Sequence, residues 1–265
     1  MADVDTFLYY CLGIDSTILV TLSEIGVQQS TATTDTEKKF AQLMYYLHNH
    51  PDAVVRFHAS DMILYIESDS AYLVLPKARS RVASIFYLSN ATSGRPPLNG
   101  AMQVICKTLH KVVSSAAKAE TGGIFVGGQQ AVPIITALSE LNHQQPASGT
   151  CISNDNSTAK GVLTANLRQN LSKAFDMRYW CIKDRIKQRQ FKLVWEPGKQ
   201  NRADYFTKHF PPKHHLLQRH IFLQQAKINQ TARVCYSVNH YEPLQNRLLR
   251  KPLQTVTNHL RPKLL

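Results

Sequence analysis

Residues 62–70 read Met62-Ile63-Leu64-Tyr65-Ile66-Glu67-Ser68-Asp69-Ser70. Five apolar residues bounded by polar ones predict a short strand over 62–66 that ends in the run 67–70. An aspartate, Asp69, then follows directly on a strand end. Working outward, 81–89 (Arg-Val-Ala-Ser-Ile-Phe-Tyr-Leu-Ser) and 100–106 (Gly-Ala-Met-Gln-Val-Ile-Cys) are two more strand-like runs, with Gly94-Arg95-Pro96-Pro97 as the loop between them. The three make a meander. From Ser114 the apolar spacing turns helical and predicts helices over 114–129 and 131–141, broken near Pro133. A short strand over 150–154 runs into Asp155. A helix over about 156–167, a strongly amphipathic helix over 174–189, a strand over 191–195 and a short helix over 201–209 follow. Upstream, 16–29 and 35–49 carry helical spacing, Asp35 with Lys38 and Lys39 marks a helix start, and His50-Pro51-Asp52 marks a stop. Strands in a hairpin run and then alternating with helices predict an α/β fold: a mixed sheet of three meander strands plus two parallel ones, flanked by helices.

The chain has 265 residues, 43% hydrophobic and 18% charged, with a net charge of +13. That surplus points to an acidic partner, nucleic acid first. It is unevenly placed. Residues 1–60 hold seven acids against three bases, whereas 211–265 hold nine bases against one acid, Glu242. Three segments with different roles are expected: a helical segment over 1–58, the α/β domain over 59–210, and a basic, flexible C-terminal extension over 211–265. The five cysteines (Cys11, Cys106, Cys151, Cys181, Cys235) are scattered and odd in number, which argues against a disulfide framework or a zinc ribbon. No apolar run is long enough for a membrane span, and the acidic N-terminus lacks a secretory signal's basic start, so an intracellular setting and no membrane partner are expected.

Four acids stand where such a sheet presents chemistry. Asp69 and Asp155 follow strands, Glu120 lies in the first turns of the helix after the third strand, and Asp204 opens the last helix. If the first and fourth strands are neighbours, Asp69 and Asp155 face each other, and facing carboxylates repel unless a cation lies between them. Hard divalent ions prefer oxygen ligands, and a pair of them about 4 Å apart can serve phosphodiester hydrolysis. Each acid alone is better read as a helix cap or a solvated charge, and Asp155 before Asn156-Ser157-Thr158 is a good cap. The set and its order favour chemistry.

Ser68-Asp69-Ser70-Ala71-Tyr72, Ser114-Ser115-Ala116-Ala117-Lys118-Ala119-Glu120, Asp155-Asn156-Ser157-Thr158-Ala159 and Ala203-Asp204-Tyr205-Phe206-Thr207-Lys208 resemble the motifs of the ribonuclease H domain of copia-type retrotransposon polyproteins. The stretch 171–180 with Ile182-Lys183-Asp184-Arg185-Ile186 is similar to that family's segment between its third and fourth acids. The resemblance covers about 60–210 and implies a ribonuclease H-like fold, two Mg²⁺ ions with Mn²⁺ able to substitute, no small-molecule cofactor, and cleavage of the RNA strand in RNA–DNA hybrids. It implies that Asp69 bridges both ions, that Asp155 shares the ion at the attacking water, and that Glu120 and Asp204 hold the ion at the leaving 3′ oxygen. Gln28-Gln29-Ser30 and His50-Pro51-Asp52-Ala53 resemble the end of the reverse transcriptase that precedes this domain. No Tyr-x-Asp-Asp motif is present, so polymerase activity is not expected.

Some positions depart from the family pattern. Lys118 stands where an acid is usual, and Gly122, Gly123, Gly127 and Gly128 crowd the helix that must aim Glu120, each costing about 1 kcal/mol against Ala in a helix interior. These departures and the missing polymerase sustain an alternative, a catalytically inactive retroelement relic that only binds nucleic acid. For substrate contact, Asn156 and Ser157 are candidates to read 2′ hydroxyls, and Lys173, Arg178, Lys183 and Arg185 on the amphipathic helix are candidates to hold phosphates. Tyr179, Trp180 and Trp195 are expected in the core, and the spacing of His209, His214, His215 and His220 fits no standard zinc site.

Overall fold

Residues 2–90, 94–164 and 173–225 are described by a computed structural model. Three helices come first: α1 (Ala2–Gly13), α2 (Leu19–Val27) and α3 (Thr34–Asn49). The start of α3 is set by Thr33, which exchanges hydrogen bonds with Thr36 in a capping box; Asp35 instead pairs with Lys39 one turn on. A two-residue strand β1 (Ala53–Val54) leads to the meander β2 (Ile63–Leu75), β3 (Arg79–Ser89) and β4 (Gln103–Thr108). Then come α4 (Ala116–Glu140), β5 (Thr150–Asn154), α5 (Ser157–Thr164), α6 (Lys173–Lys187), β6 (Phe191–Trp195), α7 (Pro212–Phe222) and β7 (Gln224–Gln225). A 3₁₀ turn over Arg202–Phe206 links β6 to α7.

The five-stranded sheet has the order β4-β3-β2-β5-β6, with β2–β3 and β3–β4 antiparallel and β2–β5 and β5–β6 parallel. This is the ribonuclease H-like mixed sheet. Side chains alternate between two cores, as the pleat requires. Leu64, Ile66, Phe86 and Ile152 face α4, α5 and α6. Tyr65, Ile85, Tyr87 and Val104 face the N-terminal helices, the 3₁₀ turn and α7. The N-terminal segment therefore covers one face of the sheet.

Three expectations need correction. The strand predicted over 62–66 runs on to Leu75, so Asp69 lies inside it, opposite Ala83 of β3. Its polar residues still complete a backbone ladder with β3, which local composition does not reveal. The helix expected to break at Pro133 is continuous, because Pro133 and Gln129, whose carbonyl loses its donor, are both exposed, while Ile124, Ala131 and Leu138 bury the other side. The extension drawn from 211 begins as ordered structure: α7 buries Phe222 and ties Arg219 to the buried Asp15 at 2.8 Å. Residues 226–265 lie outside the described ones.

The glycines of α4 are the means of its close approach to the sheet. A Cβ at Gly123 would stand 2.4 Å from Ser70 Oγ and 3.2 Å from Ser68 Oγ, and one at Gly127 would stand 2.9 Å from Ser84 Oγ. The small side chains of β2 and β3 meet the bare face of α4, which brings Glu120 down to Asp69. Gly123→Val is thus expected to destabilise the fold by ~1–3 kcal/mol and to displace Glu120. Gly161→Ala on α5, where a Cβ meets nothing within 4 Å, is expected to stabilise by ~0.5–1 kcal/mol. Thermal melts of the two variants check the pair.

Candidate active site

Past the pairs Tyr65↔Cys151, Ile66↔Ile152 and Glu67↔Ser153, strand β5 no longer pairs with β2. That divergence opens a crevice at the C-terminal end of β5, the usual ligand position in a parallel αβ arrangement. Asp69 reaches it from β2, Glu120 from the second turn of α4, whose N-terminus Ser115 caps, and Asp155 from the residue just after β5. One carboxylate oxygen from each of Asp69, Glu120 and Asp155 lies within 4.8 Å of the others. Asp204 stands outside that trio. Its charge is felt at Asp69 and Asp155, and its Oδ1 is held in an ion pair with Lys208 Nζ.

Burial pushes Asp69 and Glu120 well above the ordinary carboxylate range; Asp204 and Asp155 add to the rise at Asp69, and Asp69 and Asp155 to that at Glu120. Asp155, half-buried, is raised as well, chiefly by desolvation. Hydrogen bonds act against this. Thr207 Oγ1 donates to Asp69 Oδ2, and Asn154 Nδ2 donates to Glu120 Oε2 at 2.8 Å. Asn201 Nδ2 donates to the Ser68 carbonyl at 3.0 Å and more weakly to Asp69 Oδ1 at 3.4 Å. Gly198 leaves room for Asp155, since a Cβ there would stand 2.6 Å from Asp155 Oδ2. Three buried or half-buried oxygen donors, each disfavouring its own ionisation, are what a hard divalent cation satisfies, so the residues fit Mg²⁺ or Mn²⁺.

The turn carrying Asn201 and Asp204 is anchored beneath the site. Glu67, fully buried on β2, accepts from Arg202 Nε at 2.9 Å, from the Arg202 backbone N–H at 3.0 Å, from Arg95 Nη2 at 2.5 Å and from Tyr87 Oη at 3.0 Å. Arg95 also approaches Glu196, whose Oε1 accepts from Tyr65 Oη at 2.7 Å. Neither Glu67 nor Arg202 stood out in the sequence; the signal available was the run Asn201-Arg202 directly before Ala203-Asp204. Asn154, Thr207 and Lys208 likewise border the acids in sequence.

Several substrate-contact candidates have other employment. Asn156 Oδ1 accepts from the Ala159 backbone N–H at 2.9 Å, so Asn156, and not Asp155, caps α5. Lys183 is buried, with Nζ 3.1 Å from Tyr179 Oη and over the rings of Tyr179 and Trp180, so it presents no surface charge. Arg178 lies over the Phe125 ring, and Arg185 Nη1 donates to Gln190 Oε1 at 2.6 Å. Ser157 is exposed in the first turn of α5, beside Asp155. Lys173 opens α6, but its side chain lies outside the described residues. Tyr179 is in the core as expected, whereas Trp180 and Trp195 are 55% and 46% exposed. Trp195 ends its strand at the crevice, where its indole N–H donates to the Asp155 carbonyl at 2.9 Å. Lys118, the departure from the family pattern, bonds Ser114 Oγ at 2.8 Å on the exposed side of the helix start.

The raised carboxylates have a consequence for stability. A raised acid favours folding in its protonated form; that contribution is complete below the unfolded carboxylate range, near 4, and is lost as pH rises through the folded value. Glu120→Gln removes the loss and keeps an acceptor for Asn154. Without metal, it is expected to melt ~2–4 °C above wild type at pH 8, with a smaller gap at pH 5. Millimolar Mg²⁺ is expected to close the gap at pH 8. Melting curves in EDTA and in Mg²⁺ decide this, and equal melting temperatures at both pH values would contradict the cluster's electrostatics.

No family model and no curated protein matches the sequence. Among solved structures, ribonuclease H1 from the halophilic archaeon Halobacterium salinarum is 12% identical with a TM-score of 0.35, over 55% of this chain and 91% of that one. LC11 ribonuclease H1 in complex with an RNA/DNA hybrid is 13% identical with a TM-score of 0.37, over 54% and 92%. The prototype foamy virus protease–reverse transcriptase is 10% identical with a TM-score of 0.35, over 60% of this chain and 20% of that one. At these scores the likeness adds nothing to the geometry above.

Proposed function

We propose that this chain is a divalent-metal-dependent ribonuclease that hydrolyses the RNA strand of RNA–DNA hybrids, and that it derives from a copia-type retroelement polyprotein, acting inside the cell. The observation that carries the reading is the convergence of Asp69 on a strand, Glu120 on a helix and Asp155 just past a second strand, with one oxygen of each within 4.8 Å of the others. When bound, Mg²⁺ supplies an acidified water and neutralises charge at the leaving 3′ oxygen. The chain's residues do the rest. Asp69, clustered with Glu120 and Asp155 and within the field of Asp204, is the central ligand. Asn154 and Asn201 fix Glu120 and Asp69 so that little reorganisation is needed. Ser157, beside Asp155, is the remaining candidate to reach a 2′ hydroxyl. The exposed Lys187 at the end of α6 and Arg189 just past it add basic surface for phosphates, so affinity should fall with salt.

The test is cleavage of an end-labelled RNA annealed to DNA by the full chain in Mg²⁺ or Mn²⁺. The expected products carry a 5′ phosphate and a 3′ hydroxyl. Salt-sensitive binding with no cleavage in either metal would leave the inactive relic.

A further inference from the structure

We propose that Lys208 is a catalytic residue of this site: its ammonium holds Asp204 while no substrate is present, and moves to the scissile phosphate when one binds, freeing Asp204 as an ion ligand. This rests on the nuclease reading and deepens it. The acids divide three to one: Asp69, Glu120 and Asp155 form one oxygen cluster, whereas Asp204 stands apart with Lys208 Nζ on its Oδ1. The substrate-free site is thus a one-ion centre beside an acid neutralised from within the chain.

The root of Lys208 is fixed and its tip is half-exposed. The preceding residue, Thr207, donates its hydroxyl to Asp69 Oδ2 and its backbone N–H to the Asp204 carbonyl at 3.1 Å. That locks the backbone beside the central acid. The four-carbon side chain beyond it is 49% exposed, with Asp204 at 26%. Its charge reaches Asp69 and Asp155 as well as Asp204. An ammonium so placed is a mobile point charge suited to a phosphate oxygen. A dication bound by Asp69, Glu120 and Asp155 repels it, and an incoming phosphodiester attracts it. Lys208 transfers no proton in this role.

The experiment pairs Mn²⁺ binding, followed by electron paramagnetic resonance on the full chain without nucleic acid, with hybrid cleavage. Wild type should bind a first Mn²⁺ more tightly than a second. Lys208→Met should tighten the second by about fivefold, the strength of a half-exposed ion pair, and lower kcat by about 10²-fold, as loss of one transition-state charge contact does. Lys208→Arg, which keeps the charge, should leave the second-ion affinity near wild type and restore much of the rate. A second-ion affinity unchanged in Lys208→Met, or a wild-type kcat in that variant, overturns the proposal alone. A wild type that binds ions and cuts nothing overturns the nuclease reading instead.

Discussion

Replacing Asp69 by Asn is expected to reduce hybrid cleavage in Mg²⁺ by at least ~10³-fold, because the charge stabilisation held at that position is worth several kcal/mol. Asp69 is buried, acts on the charge of Glu120 and feels those of Asp204 and Asp155, so losing it removes the carboxylate coupled to the rest of the site. The fold should survive. Asn keeps an oxygen for the Thr207 hydroxyl, and loss of a raised buried charge relieves the metal-free protein at neutral pH. Cleavage rates for wild type and variant, beside their melting temperatures, separate lost chemistry from lost structure. A variant that folds and cuts within tenfold of wild type would show that Asp69 is not the centre of the site.

The largest stability effect is expected at Glu67. Its carboxylate has no exposed surface and takes hydrogen bonds from Arg95, Arg202 and Tyr87. A buried ion pair adds little over an apolar replacement, but removing one partner strands the other charge. Glu67→Ala leaves two guanidiniums, 17% and 14% exposed, with Glu196 the one other acid paired with Arg95 among the described residues. The expected cost is ~3 kcal/mol, a fall of about 6–12 °C in melting temperature for a folded unit of this size. Because Arg202 lies between Asn201 and Asp204 in the turn that carries both, residual cleavage should fall beyond what the lost stability explains. A melting temperature within 2 °C of wild type would mean the network is dispensable.

These expectations draw on different parts of the sequence reading. The sheet was legible because its strands are short apolar runs with a change of period at Ser114, and because Asp155 and Glu120 stand beside recognisable boundaries. Asp69 was legible as an acid of the site but misplaced by composition, since Glu67-Ser68-Asp69-Ser70 has the look of a strand end. Its neighbours explain why it is none: each polar side chain of that run is either satisfied from elsewhere in the chain or packed under the glycines of α4. Those glycines were misread for the same reason. Helix propensity is a local property, and the 2.4 Å clearance at Gly123 is a tertiary one. Lys183, Trp180 and Trp195 reversed their expected places because an amphipathic pattern shows which face is apolar, not which side chain lies along the boundary. The Glu67–Arg202 anchor joins residues 135 apart in sequence, and no local pattern carries it.

The central claim is that Asp69, Glu120 and Asp155 hold a divalent cation. The most direct measurement is anomalous scattering from a crystal of this chain grown with Mn²⁺. The account requires an anomalous peak in coordination distance of all three carboxylates, at about 2.0–2.6 Å as for hard cations with oxygen ligands. A saturating Mn²⁺ concentration that leaves no peak among those oxygens, or places it elsewhere on the chain, would contradict it.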